Sequence, residues 1–531
     1  MSLVKIVGFL FIFLYLLPFM TALCCLFPTF RHVCFIGMLY FTSNDFSLNF
    51  VPMPQWRGTA RGYAFTAVSL FAVPLFISMV LSLQYKVRWF PPGSFLYLLY
   101  YLSVILSGVN AVHMHQWGFE VYKMFWMYIT FLAAFNYLNH SRNLYLFIYA
   151  VASLLIILFL VGFYQKYRMG IFQIRSTFPH QNSLSLYVEL FGLLTLGVLM
   201  NERMSHFLFF LVLCAFGCSV LLIIFTYSRG GLVIYFGGIA IVCAMSILFN
   251  GFSVRRLTLM AIGLVVMLSV LGYALPRIIQ RFTKAPEASK NTRIYLAIAA
   301  RRMADDFTLG VGANNFSEYS SNRWDYAREH NEKHFDEGPV VETIYLLVAA
   351  ECGWGGLAIL LLWFFYYYFS DLISIFVLRK NPCSGVVIGL FGGLTCNYWH
   401  STLEWSLKQF NNFAGQMILY ALIGVIAIKR KKIKQAYQHM LAVEEALGGK
   451  GSRKRSKIRR AGQDFSLRLP VAPTPAVHDA DSSQPPPSPD PVAEALIPED
   501  RNPPQPVEPN EQSPVIELPE SPPDESASEP V

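Results

Sequence analysis

Between residues 4 and 428 the chain returns again and again to apolar runs as long as a bilayer core is thick. A hydrocarbon core of about 30 Å takes ~20 residues of helix. Runs of that kind lie near 4–27, 62–83, 94–114, 121–138, 143–164, 182–200, 205–226, 230–249, 255–275, 343–369, 384–401 and 410–428. The expected fold is therefore an all-α polytopic membrane protein with about 12 transmembrane helices. Composition agrees: 54% of residues are hydrophobic and 14% are charged, more apolar surface than a water-soluble fold can bury. The piece 33–43 is too short to span and is followed by Asn44, Asp45 and Pro52, so it reads as an interfacial or re-entrant segment in the first outer loop. The first run has no small-residue cleavage site behind it and reads as a retained span.

Loop charge sets the expected orientation. Counted from a cytoplasmic N-terminus, the inner connections carry Lys86 and Arg88, Arg142, Arg203, Arg255 and Arg256, and Arg379 and Lys380. The last run is followed by Lys429, Arg430, Lys431, Lys432 and Lys434. Basic inner loops satisfy the positive-inside rule, so both termini are expected in the cytoplasm and the long 276–341 loop outside. The formal net charge of +9 is then a topology signal and not a nucleic-acid footprint. The membrane domain covers 1–428, a basic juxtamembrane segment that would lie on anionic lipids covers 429–460, and 461–531 is a Pro-rich acidic tail with too few apolar groups to fold. The nine cysteines contain no Cys-x-x-Cys pair and read as small buried hydrophobes.

Arginines on the outer side break the charge rule and so call for another reason. Arg57 and Arg61, Arg175 in R-S-T-F-P-H-Q-N, Arg229 in T-Y-S-R-G-G and Arg293 all fall there, with Glu404 and Lys408 in E-W-S-L-K-Q. A guanidinium is always charged and its planar fork matches phosphate oxygens. An outward cluster of them predicts a lipid-linked phosphate or diphosphate ligand. Metal chemistry is not expected: Asp305-Asp306 is the only tight carboxylate pair near these stretches, and His330 and His334 have no cysteine beside them. G-V-G-A-N-N lacks the lysine of a phosphate loop. Glu189 and Glu351 fall inside apolar runs, as such groups do in proton-coupled transporters, but no paired inverted halves are visible.

T-F-P-H-Q-N-S, T-Y-S-R-G-G, G-V-G-A-N-N-F and I-Y-L-L-V-A-A-E-C-G-W-G-G-L, in that order, resemble the O-antigen ligase and O-antigen polymerase family of bacterial inner-membrane glycosyltransferases. W-R-G-T-A-R-G-Y and L-E-W-S-L-K-Q fit one branch of it, and the resemblance covers roughly residues 50–428. It implies a metal-independent membrane enzyme without a cofactor. Such an enzyme moves a glycan from undecaprenyl diphosphate to an acceptor hydroxyl at the periplasmic face, the acceptor being a lipid A core sugar or another glycan. It also implies diphosphate-binding roles for Arg175, Arg229 and Arg293, joined here by Lys408, with His180, Asn315 and Glu404 in support. The ligase pattern has His-Asn, then about nine residues, then Gly-x-x-Gly; with Gly353 and Gly356 in that motif, Glu342 and Thr343 stand where His-Asn is expected. Glu342 is thus the candidate general base, with His330 and His334 as rivals. A polysaccharide polymerase and, from another class, a transporter or flippase of a lipid-linked sugar are the alternative readings.

Overall fold

The computed structural model describes residues 3–446 apart from 83–84, 141–142, 266–267, 269–271, 273–286, 322–323, 325 and 327–338. Helices make up most of it, and the sheet among the described residues is one antiparallel hairpin of β1 (Ser47–Asn49) and β2 (Ala64–Thr66). Among the described residues seven helices are long and apolar enough to cross a membrane: α1 (Lys5–Leu26), α6 (Asn143–Tyr167), α7 (Gln181–Asn201), α8 (His206–Thr226), α9 (Arg229–Asn250), α12 (Ile344–Leu378) and α14 (Phe410–His439). Shorter apolar helices are α2 (Phe30–Phe41), α3 (Ala67–Leu81) and α4 (Ser94–Asn110). Further helices are α5 (Met114–Leu138), which carries Glu120 and Lys123, α10 (Glu287–Asp306), the single turn α11 (Phe316–Tyr319) and α13 (Ser384–His400). Each expected apolar run lies on a helix, though 255–275 is described only in part.

The hairpin and the first turns of α3, α5, α7, α9, α12 and α14 gather at one end of the bundle, the cavity end. At the far end lie Arg203, Arg255, Arg379 and the basic stretch of α14. The first helix departs from expectation. Phe9 packs on Phe50 and Phe13 on Phe65, so α1 begins at the cavity end and descends. Its partner α2 climbs back. Arg31 donates to the Cys24 carbonyl at the far end, where its guanidinium also lies 4.9 Å over the Tyr85 ring. Thr42, just past α2, is 2.6 Å from the Tyr187 hydroxyl near the cavity end. The segment expected to lie in the interface instead runs through the bundle, and α1 and α14 leave from opposite ends. The twelve residues of α2 cover about 18 Å at 1.5 Å per residue.

Two backbone devices hold the site in place. Gly385, Gly389 and Gly393 form a stripe along α13 that lies directly on α7: a Cβ on Gly389 would sit 2.7 Å from the Leu194 backbone, and one on Gly385 2.5 Å from the Gly197 carbonyl. Small residues at four-residue spacing are what let helix backbones approach this closely in a membrane. The second device is a break in α12 at Gly353, whose φ of 74° is open to glycine and strained for other residues. The break frees carbonyls that T-L-G-V-G then pairs: Val311 donates to the Ala350 carbonyl at 2.9 Å and Gly312 to that of Glu351 at 3.1 Å. Two residues on, Asn314 donates to the Ala60 carbonyl and accepts from the Ala60 amide, fastening the loop to W-R-G-T-A-R-G-Y.

Candidate functional site

A cavity of about 1370 Å³ opens at this end of the bundle. Its walls come from the hairpin loop, the starts of α7 and α9, α10, the start of α12 and the turn between α13 and α14. Among the described residues four arginines line it: Arg57 and Arg61 from the hairpin loop, Arg229 from the first residue of α9 and Arg293 from α10. Each placement has a local cause. Asn314 pins the backbone between Arg57 and Arg61. Ser228 caps α9 by accepting from the Gly231 amide at 3.2 Å, which leaves Arg229 at the helix start. The first turns of α7 and α9 present N–H groups and the positive ends of their dipoles to the cavity, an arrangement that favours an anion.

Arg293 ion-pairs with Glu342, the residue just before the α12 cap; the two side chains are 46% and 37% exposed, so the pair sits on the rim in reach of solvent. Nearby, Glu404 accepts from the Asn182 amide. Burial pushes the Glu404 carboxyl up to about 7; Glu342 adds to the rise, while Asn182, His400 and Arg293 oppose it. Asp45 also lines the cavity, its carboxyl raised by burial.

Lys408 reaches the cavity floor with its ammonium turned into the bundle, 2.7 Å from Glu351 and 3.2 Å from Glu120. Lys123 lies 2.7 Å from Glu120 and donates to the Lys408 carbonyl. These four charges form a buried alternating cluster beneath the cavity. Burial alone would make Lys408 less basic, but Glu120 and Glu351 outweigh it and hold the ammonium well above the usual lysine range.

Several expected site residues meet in one place: Arg229, Arg293, Glu342, His180, Glu404 and Lys408 all line the cavity. Arg175 stays outside its lining, exposed, donating to the Pro179 carbonyl at 3.2 Å and so holding the turn before α7. Asn315 is structural; its carbonyl oxygen accepts from the His113 amide at 2.8 Å. His330 and His334 fall outside the described residues. Asp305 and Asp306 also sit apart from the cavity lining, bonded to the Trp354 indole at 2.8 Å and the Tyr326 hydroxyl at 2.6 Å. Among the described residues no group of three or more His, Cys, Asp or Glu side chains is placed to hold a metal ion. Sequence reasoning noted Arg57 and Arg61 as misplaced charges without assigning them to the site, and missed His400 altogether. The signal for the arginines was their place on the outer side, the same signal that singled out Arg229.

Residues 209–361 match the family model described as O-antigen ligase. The matched stretch contains Arg229, Arg293, Glu342 and the Gly353 break. No curated protein matches the chain.

Proposed function

We propose that this multi-pass membrane protein, an O-antigen ligase-like component of polysaccharide assembly, transfers a glycan from undecaprenyl diphosphate to an acceptor hydroxyl. The observation that carries the reading is the convergence of Arg57, Arg61, Arg229 and Arg293, from sequence positions far apart, on one cavity at a bundle end. Guanidinium groups lining one space match the oxygens of a diphosphate and would hold the charge that grows on it as the sugar departs. Basic loops at the far end support a cavity that faces the periplasmic side of the inner membrane in this reading.

In this reading Glu342 holds Arg293 on the rim and yields to the diphosphate when the donor enters. The leaving group is a stable anion and needs no proton. The acceptor hydroxyl does need a base. A flippase is disfavoured by the Glu120–Lys123–Glu351–Lys408 cluster, whose charges are already matched inside the bundle and form no free relay. The test is donor binding. In purified protein, Arg229→Ala and Arg57→Ala should each weaken binding of undecaprenyl diphosphate tenfold to a hundredfold, about 1.5–3 kcal/mol for one charge-assisted contact. Lysine at these positions should restore little of it, since an ammonium lacks the fork. Full affinity in both alanine variants would overturn the donor site.

A further inference from the structure

His400 and Glu189 face each other below the cavity. His400 ends α13, and Glu189 lies in the third turn of α7. Its Nδ1 is 2.7 Å from Glu189 Oε1, and the two side chains are 2% and 0% exposed. The contact follows from the packing: the glycine stripe seats α13 directly on antiparallel α7, and side chains of both lean toward their own N-termini, so these two reach across the same gap. A buried carboxylate on an imidazole Nδ1 fixes both the ring plane and the tautomer, leaving the Nε2 lone pair as the acceptor.

Nε2 points toward the cavity. His400 is part of the lining, and so is Gly230, beside Arg229. A Cβ on Gly230 would stand 3.4 Å from Nε2 and 3.0 Å from Leu403 Cδ1, so Gly230 packs against the Nε2 edge of the ring. The sequence T-Y-S-R-G-G thereby places Arg229 next to the residue that packs on the Nε2 edge of the imidazole.

We propose that His400 is the general base of the transfer and Glu189 the residue that positions it, a role that rests on the glycosyl-transfer reading above. The acceptor hydroxyl gives its proton to Nε2 while its oxygen bonds to the anomeric carbon. The bond from that carbon to the diphosphate oxygen breaks, and its electron pair leaves on the diphosphate held by the arginines. The imidazolium then returns its proton to cavity water. This supplies a base in a chain that has Glu342 where a histidine is expected, with Glu342 engaged by Arg293.

The experiment compares wild type, His400→Gln and Glu189→Gln in proteoliposomes. Transfer is measured with undecaprenyl-diphosphate oligosaccharide extracted from the source strain, and binding with sugar-free undecaprenyl diphosphate. His400→Gln should lower the transfer rate about 10²–10⁴-fold, the usual contribution of a general base, with binding unchanged. In Glu189→Gln transfer should fall less, and the acid limb of its pH–rate profile should move to lower pH, because an imidazole without its carboxylate is less basic. The other titratable groups near the pair are Glu404 in the following turn, Cys396 on α13 and Tyr235 on α9, with Arg229 beside Gly230; all are unchanged in these variants. Wild-type transfer in His400→Gln, or joint loss of binding and transfer there, would overturn the assignment. Should His400→Gln fail to elute as folded protein, an unmoved pH profile in Glu189→Gln would overturn it instead. If wild type itself neither binds the diphosphate nor transfers glycan, the transferase reading fails first.

Discussion

Arg293 and Glu342, separated by a long polar loop in sequence, close an ion pair on the rim of the cavity. Both are partly solvated, so the pair itself adds only about 0–1 kcal/mol to stability. Its weight is functional. Arg293→Ala should reduce donor use tenfold to a hundredfold, whereas Glu342→Gln, which keeps the shape of the rim, should cost less than tenfold. Steady-state glycan transfer with normal expression checks both. Abolished transfer with intact diphosphate binding in Glu342→Gln would make Glu342 the base.

With guanidinium groups supplying the positive charge, transfer in washed membranes should survive chelation by EDTA. Asp305 and Asp306, the tight carboxylate pair of the sequence, are bonded to Trp354 and Tyr326 away from the cavity lining. Loss of activity restored by magnesium or manganese would bring a divalent ion into the reaction.

Glu404 predicts a pH-dependent stability. Its carboxyl is raised from 4.5 to about 7. Below about 4.5 both folded and unfolded states hold the proton, and the stabilisation it contributes is fully present. As pH rises, the unfolded chain releases that proton first, so stability falls until the folded carboxyl has also ionised, past about 7. The total lost is on the order of 3 kcal/mol at ~1.36 kcal/mol per unit. Wild type should lose thermal stability relative to Glu404→Gln between pH 5 and 8 in roughly this amount. Parallel melting curves across that range would show that Glu404 titrates normally.

The buried cluster under the cavity should be intolerant of one-sided change. Lys408→Met would leave Glu120 and Glu351 facing each other without their shared cation. Removing one partner of a buried ionic group costs about 3–5 kcal/mol. A melting temperature within a degree or two of wild type in detergent would mean that Lys408 points to the ligand and not to the carboxylates.

The bundle places the start of α1 and the end of α14 at opposite ends. Lys5→Cys and Lys432→Cys, made with the exposed Cys25 and Cys214 replaced by serine, should therefore react with a membrane-impermeant maleimide from opposite faces. Labelling from one face would restore the arrangement expected from loop charge.

Sequence alone determined the helical membrane architecture, because apolar run length is a one-dimensional property that the bilayer reads directly. Arg229, Arg293 and Glu404 were legible for a similar reason: a charge kept outside the basic loops is visible without knowing its neighbours. Tertiary structure decided the rest. The path of α2 depends on where Arg31 and Thr42 find partners, and neither contact is encoded by run length. Asn314 was read as part of a loop motif, but its work is to grip Ala60, far away in the chain. Lys408 looked like a ligand-facing cation until two carboxylates from other helices claimed it. His400 in N-Y-W-H-S carries no local sign of chemistry. Its pairing with Glu189 exists only because three glycines let α13 lie against α7, and backbone contact between helices is a property of two segments at once.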